Sequence, residues 1–276
     1  MRIKQKLWVF TLKLRNTFFL SRKIHQLQHN NCSLMPLTDR ESIDIITVAF
    51  NNEFLIEQQI RLIKKYVKDI NVYYTVADNS DNPEKRRLIQ AICEKEQVGY
   101  IGLPKTLVRH GSYSHGMALN WMYANHISYR KPTVFGFIDH DLFPIQSYSI
   151  LESIAKQDFY GKTVLRDNGM WYLWAGFCFF RFEKTKKYPL NFVPFMDGAT
   201  YLDTGGSNYK AMYSNYNLDK LATCKPTVEK SIRDGSNYHA DIVHYIDECW
   251  LHAINGSNWA KVAPKDDILR KMLEKF

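Results

Sequence analysis

The stretch SIDIITVAF, residues 42–50, constrains the fold more than any other. It is β-branched and almost continuously apolar, with no period-two alternation that would leave one face wet, so it reads as a strand buried on both sides. Such a strand needs helices over each face, and a parallel sheet joined by right-handed crossovers supplies them. The following segments keep that rhythm. NNEFLIEQQIRLIKKY (51–66) places Phe54, Ile56, Ile60 and Ile63 on one helical face, and INVYYTVADNSDN (70–82) is a second strand that ends in a polar turn. PEKRRLIQAICEKEQ (83–97) is a helix with Pro83 in its first turn, VGYIGLP (98–104) a third strand, GSYSHGMALNWMYANHI (111–127) a third helix and PTVFGFIDHDLFP (132–144) a fourth strand. Beyond residue 145 the alternation is less clean, with an aromatic-rich strand at MWYLWAGFCFFRF (170–182). The expected class is α/β, a Rossmann-like, mostly parallel sheet flanked by helices, in one domain (39–276) preceded by an N-terminal segment (1–38).

Charge separates those two parts. The net charge is +9, from 37 basic and 28 acidic residues, yet residues 1–38 hold seven basic residues and no acid. The rest carries 30 basic against 28 acidic residues, which argues against a nucleic-acid-binding body. In MRIKQKLWVFTLKLRNTFFL, Ile3, Leu7, Phe10, Leu14 and Phe18 recur at helical spacing. Charges interrupt the run well short of the ~18 apolar residues of a membrane span, and no signal-peptide core is present. A basic amphipathic helix lying on an anionic membrane surface is expected, the alternative being a helix packed on the protein itself or on a partner subunit. Five cysteines form no CxxC pair, which predicts free thiols in a reducing compartment. The expected location is cytoplasmic, peripheral at the inner face of the membrane.

Function should collect where the strands end, because ligands of open parallel sheets sit outside the carboxyl ends of the strands. VAFNN, ADNS and DHD all lie there. Each has a plain structural reading as well: Asn51-Asn52 as a helix cap, Asp78-Asn79-Ser80 as a turn, His115-Gly116 as loop, and Asp139 and Asp141 as a solvated pair. Two carboxylates at the end of a buried strand repel each other and need a positive partner.

In order, these segments resemble the GT-A glycosyltransferases, especially the family 2-like group. VAFNN matches the end of that family's first strand, ADNS its second, HGMALN (115–120) its glycine–alanine–asparagine helix start, and DHD its D-x-D signature. The resemblance covers residues 43–145, the nucleotide-sugar half, and leaves 146–276 as the acceptor half. It implies donor contacts from Phe50, Asn51, Asn52, Asp78, His115, Asn120 and Asp139, with Asp78 meeting the nucleobase and UDP-sugars favoured. It also implies Mn²⁺ or Mg²⁺ held by Asp141 directly and by Asp139, with a late histidine as a further ligand: His252 first, His244 second. Hard divalent cations prefer carboxylate oxygens and neutralise a departing diphosphate.

The general base should come from the acceptor half. Asp203 is the first choice, in YLDTGG, where Gly205-Gly206 would allow close backbone approach to a ligand; Asp247 is the second, with Asp197 and Glu248 also available. Trp171, Trp174, Trp250 and Trp259 are candidates for stacking on sugar rings. The E-D pair usual in inverting family members is missing. The implied activity is metal-dependent transfer of a sugar, hexosyltransferase-like, from a nucleotide sugar to a glycan or lipid-linked acceptor. A catalytically inactive, membrane-associated nucleotide-sugar or glycan-binding protein of the same fold is the alternative. A dinucleotide-binding enzyme is excluded by the absence of glycine in AFNNEF, and a P-loop enzyme by the absence of its motif.

Overall fold

The computed structural model describes residues 3–35, 37, 41–106, 108, 110–231, 242–254 and 265–276. Helix α1 (Ile3–Ser21) and the short strand β1 (Gln28–His29) precede β2 (Ile43–Ala49), all of whose residues are buried. Helix α2 (Glu53–Tyr66) leads to β3 (Val72–Asp78), α3 (Pro83–Lys95) to β4 (Gly99–Gly102), and α4 (Gly111–Met122) to β5 (Val134–Asp139). Strands β2, β3, β4 and β5 are mutually parallel, as the alternating pattern requires. Two later strands, β6 (Leu142–Pro144) and β7 (Phe159–Leu165), precede β8 (Trp171–Arg181). β8 pairs antiparallel with β5, β7 with β8, and β1 closes the other edge against β4, giving the order β1-β4-β3-β2-β5-β8-β7. The fold is α/β, with a mixed, mostly parallel central sheet flanked by helices.

One expected strand divides in two. The run 132–144 is not a single strand: β5 stops at Asp139, the chain turns at His140 and Asp141, and β6 belongs to a second sheet. That sheet is antiparallel, in the order β11 (Val228–Ser231), β12 (Ile242–Ile246), β13 (Trp250–His252) and β6. The break places the two carboxylates at the seam between two sheets, with Asp141 still buried. A separate hairpin, β9 (Phe195–Asp197) and β10 (Thr200–Leu202), completes the strands named here.

The opposite end of the central sheet is closed by a buried ionic cluster. Asp44 of β2 lies 3.2 Å from His126 Nε2 and 3.5 Å from Arg130 Nε, all three side chains being at most 3% exposed. Arg130 also sits over the Tyr73 ring, 4.9 Å from its centroid. His126 reaches Asp44 because α4 runs on into a π-helical turn, Tyr123–Ile127, which shifts the phase of the helix. The cluster thereby pins the far end of the α4 segment to the sheet. Removing one member of a buried ion pair strands the other in low dielectric. Asp44→Ala is expected to lower unfolding free energy by about 3–5 kcal/mol, read by urea denaturation.

Candidate active site

Asp139, the last residue of β5, and Asp141, in the following turn, face one another across a seam that a third residue completes. β6 pairs with β13 so that Leu142 lies opposite His252, and the Ala253 N–H donates to the Asp141 carbonyl at 2.8 Å. This register, rather than nearness in the chain, delivers the late histidine to the acids. His252 Nε2 is 3.4 Å from Asp141 Oδ1. One ligand atom from each of Asp139, Asp141 and His252 falls within 4.8 Å of the others. These residues fit a divalent cation. Oxygen and imidazole ligands suit such an ion, and His252 Nδ1 is buried with no hydrogen-bond partner. The intervening His140 points away, its Nδ1 3.2 Å from the Val48 carbonyl.

Two further expected residues converge on the same place. His115, one turn into α4, has Nε2 3.6 Å from Asp139 Oδ1. Asp203 lies just after β10, and the neighbouring Thr204 Oγ1 donates to the Ser112 carbonyl in the first turn of α4 at 3.1 Å. Electrostatics register the crowding. Burial, then the charge of Asp141, pushes the Asp139 carboxyl up to about 7, with Asp203 adding to the rise. Burial pulls His115 down to about 4, against the opposing charges of Asp203 and Asp141, so its imidazole is neutral near pH 7. Asp203 Oδ1 accepts from the Thr204 N–H at 2.8 Å and from the Tyr201 hydroxyl at 3.2 Å. Those bonds fix the orientation of its carboxylate.

The remaining expected donor contacts are mostly committed elsewhere. Asp78 is fully buried: it accepts from the Ser80 N–H at 2.9 Å and the Tyr100 hydroxyl at 3.0 Å, with Arg86 Nε at 3.8 Å. It has no exposed carboxylate to offer a nucleobase, so the lean towards uridine loses its basis. Asn52 is the cap of α2, accepting from the Leu55 N–H, as its plain structural reading has it. Asn51 adopts a positive φ of 51° and ties the ends of β2 and β3 together through Ser80, Asp81 and Asn82. Phe50 is exposed beside it. Both ends of the Asn120 amide hold the 191–193 segment, through Asn191 Oδ1 and the Phe192 N–H. One turn earlier, a Cβ on Gly116 would lie 2.6 Å from the Phe192 carbonyl, so the same segment packs directly on the α4 backbone.

In the acceptor half, Asp247 is a turn residue with φ 52°, and its carboxylate accepts from Tyr148, Tyr160 and the Lys225 N–H. Buried and held by three donors, it braces this turn. Asp197 is exposed and paired with Lys210, and Glu248 is exposed and paired with Lys225. His244 bonds Glu229 at 2.8 Å, its ring 5.7 Å from that of His252. Gly205, with φ 93°, approaches the protein itself, since a Cβ there would meet the Leu173 carbonyl at 2.9 Å. Trp171 and Trp250 are core residues. Trp174 alone among the described tryptophans of that set borders the site, its ring 4.8 Å from that of His252 and under the Lys162 ammonium. Trp259 lies outside the described residues.

Sequence reasoning missed Gln59. It is fully buried, and its Nε2 donates to the carbonyls of Asp139 at 2.7 Å and Leu142 at 2.6 Å, the two ends of the acidic turn. Its Oε1 accepts from the Tyr74 hydroxyl at 2.6 Å. The available signal was a polar residue on the apolar face of α2, among Leu55, Ile56, Ile60 and Ile63. Gln59→Leu removes the side-chain donor of the Asp139 and Leu142 carbonyls, each costing about 1–3 kcal/mol when left unpaired. An unfolding free energy lower by roughly 3 kcal/mol or more, together with weaker Mn²⁺ binding by calorimetry, is expected.

No protein-family model matches this sequence, and no curated protein matches it. In fold, the chain is similar to solved glycosyltransferases. One is the galactosyltransferase LgtC in complex with donor and acceptor sugar analogs, at TM-score 0.38 and 16% identity over 52% of this chain and 60% of that one. Another is the mannosyltransferase PcManGT from Pyrobaculum calidifontis in complex with GDP-Man and Mn²⁺, at TM-score 0.40 and 13% identity over 66% and 55%. A third is glucosyl-3-phosphoglycerate synthase from Mycobacterium tuberculosis with Mn²⁺, UDP and glucosyl-3-phosphoglycerate, at TM-score 0.42 and 15% identity over 67% and 69%. The matched region thus spans about 60% of the length of the galactosyltransferase. These likenesses are of fold, and no residue's role in this chain rests on them.

Proposed function

We propose that this protein is a metal-dependent glycosyltransferase that moves a sugar from a nucleotide-sugar donor to a glycan or lipid-linked acceptor. One observation carries the reading: residues from β5, the turn after it, β13 and α4 converge at the carboxyl end of the central sheet as Asp139, Asp141, His252 and His115, within the electrostatic reach of Asp203. Nothing in the packing of either sheet requires two carboxylates and a histidine to meet there, and a cation with a polyanionic ligand gives them a reason to.

Asp141, Asp139 and His252 would hold Mn²⁺ or Mg²⁺. When bound, such an ion neutralises the negative charge that develops on a departing nucleoside diphosphate. His115, neutral and flanking Asp139, can donate a hydrogen bond to a phosphate or sugar oxygen without adding charge to the cluster. Asp203 is the general base in this reading. Its Oδ1 is held by Thr204 and Tyr201, leaving the carboxylate oriented to take the proton of an acceptor hydroxyl. The exposed Phe50, beside Asn51, offers a surface for the nucleoside. Trp174, beside His252, is available to stack on a sugar ring.

Asp141→Ala is expected to abolish metal-dependent hydrolysis or transfer of nucleotide sugars while the protein stays folded. In a thermal-shift panel the wild type should gain stability from Mn²⁺ with a nucleoside diphosphate and this variant should not. Wild-type activity undiminished by excess chelator would end the metal assignment.

Asp203→Asn keeps the shape and removes the basic oxygen. Transfer to acceptor should slow by about 10²–10⁴, with donor affinity little changed. Parallel loss of donor binding would instead place Asp203 among the donor contacts.

A further inference from the structure

Among the described side chains of α1, large apolar residues stand in solvent. Phe10, Leu14 and Phe18 recur every fourth residue and are 57%, 56% and 63% exposed. The helix is nevertheless fastened to the body by a different edge. Phe19 is buried in the core cluster that contains Trp121, with Leu20 packed against it. Trp121 Nε1 donates to the Arg22 carbonyl at 2.8 Å, Asn125 Nδ2 to the Leu20 carbonyl at 3.3 Å, and Lys23 Nζ to Asn125 Oδ1 at 3.4 Å. The stripe therefore cannot turn inward without tearing out Phe19. Among the described residues no helix is long and apolar enough to cross a membrane.

We infer that α1 is a docking helix for an anionic lipid surface, with Phe10, Leu14 and Phe18 entering the boundary between headgroups and acyl chains. Charge selects the occupant. Residues 1–38 carry seven basic residues and no acid, so a second copy brought up against this face would present the same sign. An anionic leaflet presents the opposite one and attracts basic residues near its surface. Arg22, over the Phe18 ring at 5.4 Å, sits at the edge of the stripe, where a guanidinium can reach lipid phosphates.

The mounting has a directional consequence. α1 rests on α4 at Trp121, and His115 of the candidate active site is six residues earlier on that helix, about 9 Å along its axis. Docking would hold the site close to the leaflet, which suits a lipid-linked acceptor. That consequence rests on the glycosyl-transfer reading, whereas the docking itself does not.

The test is co-sedimentation of the full chain with vesicles of phosphatidylcholine alone or mixed with phosphatidylglycerol. Binding is expected only with phosphatidylglycerol present, and it should fall as salt rises through physiological strength. The triple variant Phe10→Ser, Leu14→Ser, Phe18→Ser should bind at least about tenfold less with an unchanged melting temperature. Wild-type protein that stays in the supernatant at low salt overturns the inference, as does a triple variant that still binds or that melts much earlier. Light scattering that finds a dimer dissolved by the triple substitution, with no vesicle binding, assigns the face to a second copy instead. Because vesicle binding is read without any turnover, loss of the catalytic reading leaves this result standing, and the reverse.

Discussion

Two carboxylates two residues apart, at the mouth of an otherwise apolar sheet, repel each other, and much of the surrounding structure is arranged to hold them together regardless. Gln59 grips the carbonyls at both ends of their turn, and His140 is turned away onto the neighbouring strand. β6 leaves the central sheet to found another, which returns His252 to the acids. The energetic cost appears in the raised proton affinity of Asp139. A protein that needed only a stable turn here would place Asn or Gly at these positions. Acids held together at such a cost are the kind of cluster that marks a candidate functional site.

Much of this was legible in the sequence, for identifiable reasons. The parallel half of the sheet could be read because buried strands are continuous apolar runs and each helix carries a matching stripe. Asp139, Asp141, His115 and His252 are singled out by a resemblance and Asp203 by its sequence setting. The structure brings one ligand atom of each of Asp139, Asp141 and His252 within 4.8 Å of the others, with His115 3.6 Å from Asp139. What failed had a shared cause: a polar residue at a strand end can face the crevice or the protein. Asp78, Asn52 and Asn120 face the protein, and only their partners Tyr100, Leu55 and Asn191 reveal it. Asp247 failed in the same way, since Tyr148 and Tyr160 come from distant segments. Gln59 was missed because a lone polar residue in an apolar stripe was passed over, although burial of an uncharged amide demands partners.

The two ends of α4 do different work. Near its start, His115 and the close approach at Gly116 shape the crevice. Near its finish, Trp121 receives α1, and the π turn beyond it delivers His126 to Asp44. One helix therefore spans the site, the N-terminal segment and the closed end of the sheet. Its orientation is set by contacts at both ends, which suits an element that carries a site residue.

The seam between the sheets also bears on how the chain assembles its candidate Asp-Asp-His group. Asp139 and Asp141 come together locally, but His252 is more than a hundred residues downstream and arrives only when β13 has paired with β6. Closing so long a loop is entropically costly and is not rewarded until the pairing is made. A cation present during folding would find two ligands early and the third late. It would act less as a nucleus than as a rivet, slowing the escape of the small sheet once the chain is already home.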